Sequence, residues 1–218
     1  MFKIILLGNS NVGKTSIVNR FVGDRFDADY KATISADFQT KLLNIQGNEI
    51  RLQVWDLVGM DTSYMALNRR FCRDASGVIM VGDITNPESI EDTSRWKQEV
   101  DDIVSTVDSP IPIVLCANKL DRLTENDQLE EYQTQEGLDK FAEQHNFIAA
   151  YRISAKEDIN ISTAFSTLVR EMLIKEISEQ QEMDQQGDFD AEKSRAASFN
   201  LRQTKNKSGG SGKSGCCK

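Results

Sequence analysis

The segment Gly8-Asn9-Ser10-Asn11-Val12-Gly13-Lys14-Thr15 carries the spacing GxxxxGK[ST] and follows directly on the apolar run Ile4-Ile5-Leu6-Leu7. Few eight-residue patterns constrain a fold as tightly. The apolar run reads as a buried strand, and the residues after Gly13 read as the start of a helix. A glycine-rich turn between a strand and a helix points its backbone N–H groups inward, and the positive end of the helix adds to their field. Lys14 is then placed to reach phosphate oxygens, and Thr15 to put its hydroxyl on a magnesium ion. The bland alternative is a chance glycine-rich turn, which the flanking strand and helix argue against.

The rest of the chain supplies the fold that such a loop needs. Gly77–Gly82, Ile113–Ala117 and Phe147–Tyr151 are further apolar runs of strand length, as central parallel strands covered on both faces require. Between them, Trp96, Val100, Ile103, Val104 and Val107 recur at helical spacing, as do Ile161, Ala164, Phe165, Leu168, Val169 and Met172. Ile50, Leu52 and Val54 alternate with Arg51 and Gln53 after the turn Gln46-Gly47-Asn48-Glu49, which predicts a hairpin with one antiparallel edge strand. The expected fold is α/β in three layers: a six-stranded, mostly parallel sheet with one antiparallel edge strand and helices on both faces. Asp56 stands at the tip of the strand Leu52–Trp55, before Gly59, and is a candidate to hold magnesium with Thr15.

Two later segments lie at the C-terminal ends of predicted parallel strands, where open α/β sheets bind ligands. Asn118-Lys119-Leu120-Asp121 follows Ile113–Ala117, and Ser154-Ala155-Lys156 follows Phe147–Tyr151. With the phosphate loop, these N-K-x-D and S-A-K motifs resemble the Ras-like small GTPases, and more closely the Rab family, over about residues 2–175. The resemblance implies GTP and GDP as ligands with Mg2+ as cofactor. It implies that Asp121 accepts from the guanine N1 and N2 donors and that Asn118 contacts both base edge and phosphate loop. Lys119 and Lys156 would lie along the base, and the Ala155 N–H would meet O6, with Ser154 beside it. A carboxylate matched to two donors rejects adenine, because a wrong base leaves buried polar groups unpaired. The resemblance further places Asn11, Val12, Gly13, Ser16, Phe26 and Tyr30 around the nucleotide. It assigns Thr33 to magnesium and the γ-phosphate, and the Gly59 N–H to the γ-phosphate. Lys14, Thr33 and Gly59 would thus serve the transferring phosphate, and Thr15, Thr33 and Asp56 the metal.

The same resemblance identifies Phe38, Trp55 and Phe71 as an aromatic triad presented to effectors, against the plain alternative of core packing. Trp96-Lys97, Ser109-Pro110-Ile111-Pro112-Ile113 and Asn160-Ile161 are similar to the Rab subfamily that serves lysosome-related organelles and phagosomes. Implied partners are an exchange factor, a GTPase-activating protein, effectors, and carriers of the Rab escort and GDP-dissociation-inhibitor type. A monomer is expected.

Composition changes near residue 177. Residues 1–177 read as the G domain, and 178–218 as a disordered tail that buries too little apolar surface to offset chain entropy. The tail turns wholly basic from Lys193 and carries Cys216-Cys217-Lys218. The cysteine pair resembles the Rab terminus that is geranylgeranylated, and two lipids with a basic segment meet the requirement for stable anchoring. Cys72 and Cys116 are expected in apolar surroundings and Cys216 and Cys217 stand at the extreme end, so the four cysteines do not form a disulfide framework, and the single histidine, His145, is remote from the cysteine pair a zinc site would need. The expected location is the cytoplasmic face of an endosomal, lysosome-related or phagosomal membrane, with a soluble cytosolic pool. The net charge of −8 argues against nucleic acid as a partner.

One departure from the family bears on chemistry. The family's W-D-T-A-G-Q-E is here Trp55-Asp56-Leu57-Val58-Gly59-Met60-Asp61. Met60 stands where a glutamine orients the attacking water, and a thioether has no N–H to donate. Slow intrinsic hydrolysis is expected, with an activating partner supplying the missing groups. The competing expectation is a non-hydrolysing GTP-binding scaffold. A P-loop nucleotide kinase is a third class, but it would have no use for the guanine motifs.

Overall fold

The computed structural model describes residues 1–29, 33, 35–45, 47–57, 71–72, 74–104, 110–124 and 128–182. The chain divides into two compact units, Met1–Met172 and Leu173–Lys218. The first holds a six-stranded sheet: β1 (Phe2–Leu7), β2 (Asp37–Ile45), β3 (Asn48–Asp56), β4 (Gly77–Asp83), β5 (Ile113–Asn118) and β6 (Ala149–Arg152). Helix α1 (Lys14–Gly23) follows β1, α2 (Pro87–Val104) follows β4, α3 (Gln135–Gln144) precedes β6, and α4 covers 161–182.

The strand order is β2-β3-β1-β4-β5-β6. All neighbours pair parallel except β2 with β3, so the expected antiparallel edge strand is observed. Ile45 faces Asn48 across the hairpin, and Gly47 takes φ +85 in the connection. Every residue of β4 and β5 is buried, as continuous apolar strands covered on both faces must be. Exposed and half-buried residues alternate along β2, because an edge strand shows one face to water. On one face of the sheet, Ile5, Met80 and Leu115 join Trp96 and Val100 of α2 and Leu138 of α3 in a buried cluster. Elsewhere in the core, Phe21 of α1 stacks on Phe165 of α4, with ring centroids 3.7 Å apart. Each such fully buried side chain contributes about 1.5–3 kcal/mol relative to exposure.

Three boundaries differ from expectation. Residues 147 and 148 precede β6, yet Phe147 is buried: hydropathy marks burial, not the last ladder bond. Asn118 closes β5 instead of following it. Helix α4 runs to 182, so 178–182 are helical instead of tail; Glu and Gln are good helix formers, and their polarity does not end a helix. The second unit is helical at 173–182, with Ile174 and Ile177 exposed. The expected tail from 183 on, including Cys216 and Cys217, lies outside the described residues, as do Tyr30, Val107 and the segment with Gly59 and Met60. Among the described residues no helix is long and apolar enough to cross a membrane.

Candidate functional site

The loop between β1 and α1 sits at the middle of the sheet, where β1 has β3 on one side and β4 on the other. Helix α1 begins after Gly13 with no side-chain cap and no acidic residue in its first turn. Its leading N–H groups are therefore left for an anionic ligand. Two glycines make the loop geometrically possible. A Cβ on Gly8 would stand 2.0 Å from the carbonyl oxygen of Val81, so only glycine lets the loop lie on β4. Gly13 has φ +97, and a Cβ there would stand 2.4 Å from Asn118 Nδ2.

Lys14 is buried, and its Nζ donates to the carbonyls of Gly8 at 2.9 Å and Asn9 at 2.8 Å. Burial pushes its pKa down to about 8, partly opposed by the Asp56 carboxylate. A phosphate brought here would supply countercharge to an ammonium that burial has stripped of water.

Thr15 Oγ1 donates to Asp56 Oδ2 at 2.6 Å and lies 2.8 Å from Thr33 Oγ1. The single Thr15 proton is committed to Asp56, so Thr33 is the donor of the second bond. The other carboxylate oxygen, Asp56 Oδ1, is buried and has no hydrogen-bond partner among the described residues. Burial raises the Asp56 pKa, against the Thr15 hydrogen bond and the Lys14 charge. One unsatisfied carboxylate oxygen beside two hydroxyls is a donor set suited to a hard, oxygen-seeking cation.

The two later motifs meet the phosphate loop through Asn118, which is nearly fully buried. Its Nδ2 donates to the Val12 carbonyl at 2.8 Å, and its Oδ1 accepts from the Ala155 N–H at 3.1 Å. Thus one side chain joins loops that are far apart in sequence. Ser154 Oγ donates to Asp121 Oδ1 at 2.6 Å, and Lys156 Nζ lies 3.9 Å from Asp121 Oδ2. Lys119 is paired with Asp83 at 2.7 Å. Asp83 also accepts from the Thr85 N–H and hydroxyl. Burial alone would push the Asp83 pKa up, but Lys119 and Thr85 outweigh it and hold it below its ordinary value.

Gly13, Lys14, Thr15, Ser16, Asn11, Phe26 and Thr33 line one cavity of about 580 Å³ together with Asn118, Lys119, Asp121, Ala155 and Lys156. Val12 takes part through its carbonyl, Ser154 through Asp121, and Asp56 through Thr15. Sequence reasoning missed other members. Ser10, Asn19, Asp27, Ala28, Asp29 and Arg122 also line the cavity. Arg20 donates from Nε to the Ala155 carbonyl and from Nη2 to the Lys156 carbonyl, each at 2.9 Å. No local signal announces that brace, because its partners are more than 130 residues away (sequence separations of 135 and 136).

Phe38 and Trp55 face each other across β2 and β3, with centroids 4.9 Å apart, and Phe71 lies 5.5 Å beyond Trp55. The Lys3 ammonium covers the Trp55 ring at 5.0 Å. Phe38 is 44% exposed, so the group is not simply core.

The Ras family model matches residues 3–174. This chain belongs to the Ras family. Its relatives place it in the Rab branch. Ras-related protein Rab-7L1 of Homo sapiens is 32% identical over 194 residues, 87% of this chain and 91% of the relative. Ras-related protein Rab-32 of Mus musculus is 36% identical over 180 residues, 82% of this chain and 78% of the relative. GTP-binding protein yptV5 of Volvox carteri is 34% identical over 183 residues, 83% and 86% respectively. The sheet order is that of a Ras-like G domain, in agreement with the fold and family expected from the motifs.

Proposed function

We propose that this Rab is a membrane-anchored molecular switch of vesicle traffic, binding GTP and GDP with Mg2+ and relying on a partner for rapid hydrolysis. The observation that carries the proposal is Asn118, which ties the phosphate loop to the loop of Ala155 inside one cavity. Phosphate and base motifs thereby act on one ligand. Asp121, held by Ser154 and near Lys156, accepts the paired donors of guanine. Lys14 neutralises the β- and γ-phosphates. Thr15, Thr33 and Asp56 hold Mg2+, and their buried unsatisfied oxygen supports that assignment. When bound, Mg2+ supplies charge neutralisation at the phosphates. Thr33 and Gly59 serve as the contacts whose loss with the γ-phosphate releases the adjoining loops.

Phe38, Trp55 and Phe71 offer effectors an aromatic face. Exchange factors, activating proteins, escort and GDP-dissociation-inhibitor type carriers are the remaining partners, and geranylgeranyl groups on Cys216 and Cys217 fix the chain to an endosomal, lysosome-related or phagosomal membrane. A second function, a non-hydrolysing scaffold that recruits effectors, is favoured by one feature only: Met60 in place of glutamine.

The test is single-turnover hydrolysis of preloaded GTP in wild type and Met60→Gln. Very slow wild-type turnover, raised by glutamine, is expected. Equal rates would refute the role given to Met60. No hydrolysis by wild type even with a Rab-activating protein would favour the scaffold.

A further inference from the structure

Asn9, the second residue of the phosphate loop, is held at three points. Its backbone carbonyl accepts from Lys14 Nζ at 2.8 Å. Its side-chain oxygen accepts from the Trp96 indole Nε1 at 2.9 Å, and its side-chain nitrogen donates to Asp92 Oδ2 at 2.7 Å. An indole can only donate and a carboxylate can only accept, so the amide has one orientation that satisfies both. Asp92 and Trp96 are four residues apart on α2 and share a face of the helix. Trp96 is 4% exposed, with its ring in the buried cluster, so the indole N–H is aimed by core packing. The second Asp92 oxygen, Oδ1, accepts from Arg95 at 3.1 Å. Asn9 itself is not a wall of the cavity. The hydrogen bonds of Asn118 and Asp121 run to Val12, Ala155 and Ser154, not to this group.

We propose that Asn9 is a positioning residue: the Trp96–Asn9–Asp92 clamp fixes the carbonyl that holds Lys14, and thereby sets affinity for the outer phosphates independently of base recognition. The inference rests on the cavity being a guanine nucleotide site. A loosened Asn9 carbonyl lets the Lys14 ammonium wander from the place where β- and γ-phosphates need it. The base contacts and the α-phosphate contacts of the loop stay as they were. Helix α2 therefore controls one half of the ligand, and GMP and GDP respond differently to its removal.

The experiment compares Kd for GDP and GMP on the nucleotide-stripped full chain and on Asn9→Ala, Asp92→Ala and Trp96→Phe. Trp96→Phe keeps a buried aromatic ring but removes the N–H together with the rest of the indole, so it is read beside the other two variants. The expected result is GDP binding weaker by about threefold to tenfold with GMP unchanged, so that the GMP-to-GDP ratio narrows. A second readout is the indole N–H resonance of Trp96, identified by its loss in Trp96→Phe. It should shift when GDP is added and stay in place with guanosine. Equal weakening of GDP and GMP would make the clamp a general structural element and overturn the proposal. So would an unchanged ratio in all three variants. Failure of the wild type to bind GDP would overturn the nucleotide assignment itself, and the clamp with it. If Trp96→Phe fails to fold, Asp92→Ala carries the test, because it removes the acceptor of Asn9 Nδ2 at a half-buried position and leaves the Trp96 ring in place.

Discussion

Replacing Gly13 with alanine tests the junction on which the whole cavity depends. The residue has φ +97, which costs an L side chain about 1–3 kcal/mol in strain. The new methyl would also stand 2.4 Å from Asn118 Nδ2, well inside contact distance. Asn118 cannot retreat without stretching its bonds to the Val12 carbonyl at 2.8 Å and the Ala155 N–H at 3.1 Å. Both are buried, and leaving one buried partner unpaired costs about 1–3 kcal/mol. Strain and lost bonding together give roughly 2–6 kcal/mol. In a domain of this size that lowers Tm by roughly 4–24 °C, at about 2–4 °C per kcal/mol. Asn118→Ala removes the obstructing amide. In that background Gly13→Ala should cost only the backbone strain, about 1–3 kcal/mol. The assay is thermal unfolding of the four proteins of the double-mutant cycle, nucleotide-free, so that ligand binding does not contribute. Additivity of the two substitutions within about 0.5 kcal/mol would refute the account.

Asp83→Asn should destabilise the protein by about 1–3 kcal/mol at neutral pH, measured by urea unfolding, through loss of the Lys119 pairing. The folded Asp83 pKa lies below its ordinary 3.8, so the wild-type advantage is full above that value and lost as pH falls through the lower folded value. The two proteins should converge in acid, and a gap that persists there would sink the assignment. Arg20→Ala should speed GDP release by about tenfold, because charged hydrogen bonds to the Ala155 and Lys156 carbonyls are lost; stopped-flow displacement of a fluorescent GDP analogue measures it. Thr134→Ala removes the side-chain acceptor that caps α3 at the Gly137 N–H, 3.0 Å away. It should cost about 1 kcal/mol in stability and leave GDP release unchanged, a contrast that separates general loosening from an effect on the site.

How much of this was visible in the sequence depended on how local each signal is. The phosphate loop announces itself because strand, glycines, lysine and helix are contiguous. Asn118, Asp121 and Ala155 are legible because each stands at or just past the end of an apolar strand, and those ends define one rim of the sheet. Arg20 and Asn9 were not legible as tethers. A helical arginine and a loop asparagine are ordinary in sequence, and their partners come close only after folding. The helix at 178–182 was not legible for a different reason. Polarity after residue 177 reports lack of burial, while the helix at 178–182 needs only backbone bonds and good helix formers. Met60 is the reverse case, a chemical departure plain in the sequence.

Trp55 and Asp56 are consecutive residues of β3, and a strand turns successive side chains to opposite faces. The half-buried Trp55 therefore leaves the strand on one face, stacked on Phe38, while Asp56 leaves on the other and receives the Thr15 hydroxyl. If Asp56 holds the ion and Trp55 meets a partner, as proposed, one peptide unit, about 3.3 Å of chain, separates the two. No relay of packed side chains is needed. A displacement of the carboxylate would then reach the indole through the shared backbone, as short a path as a polypeptide can make.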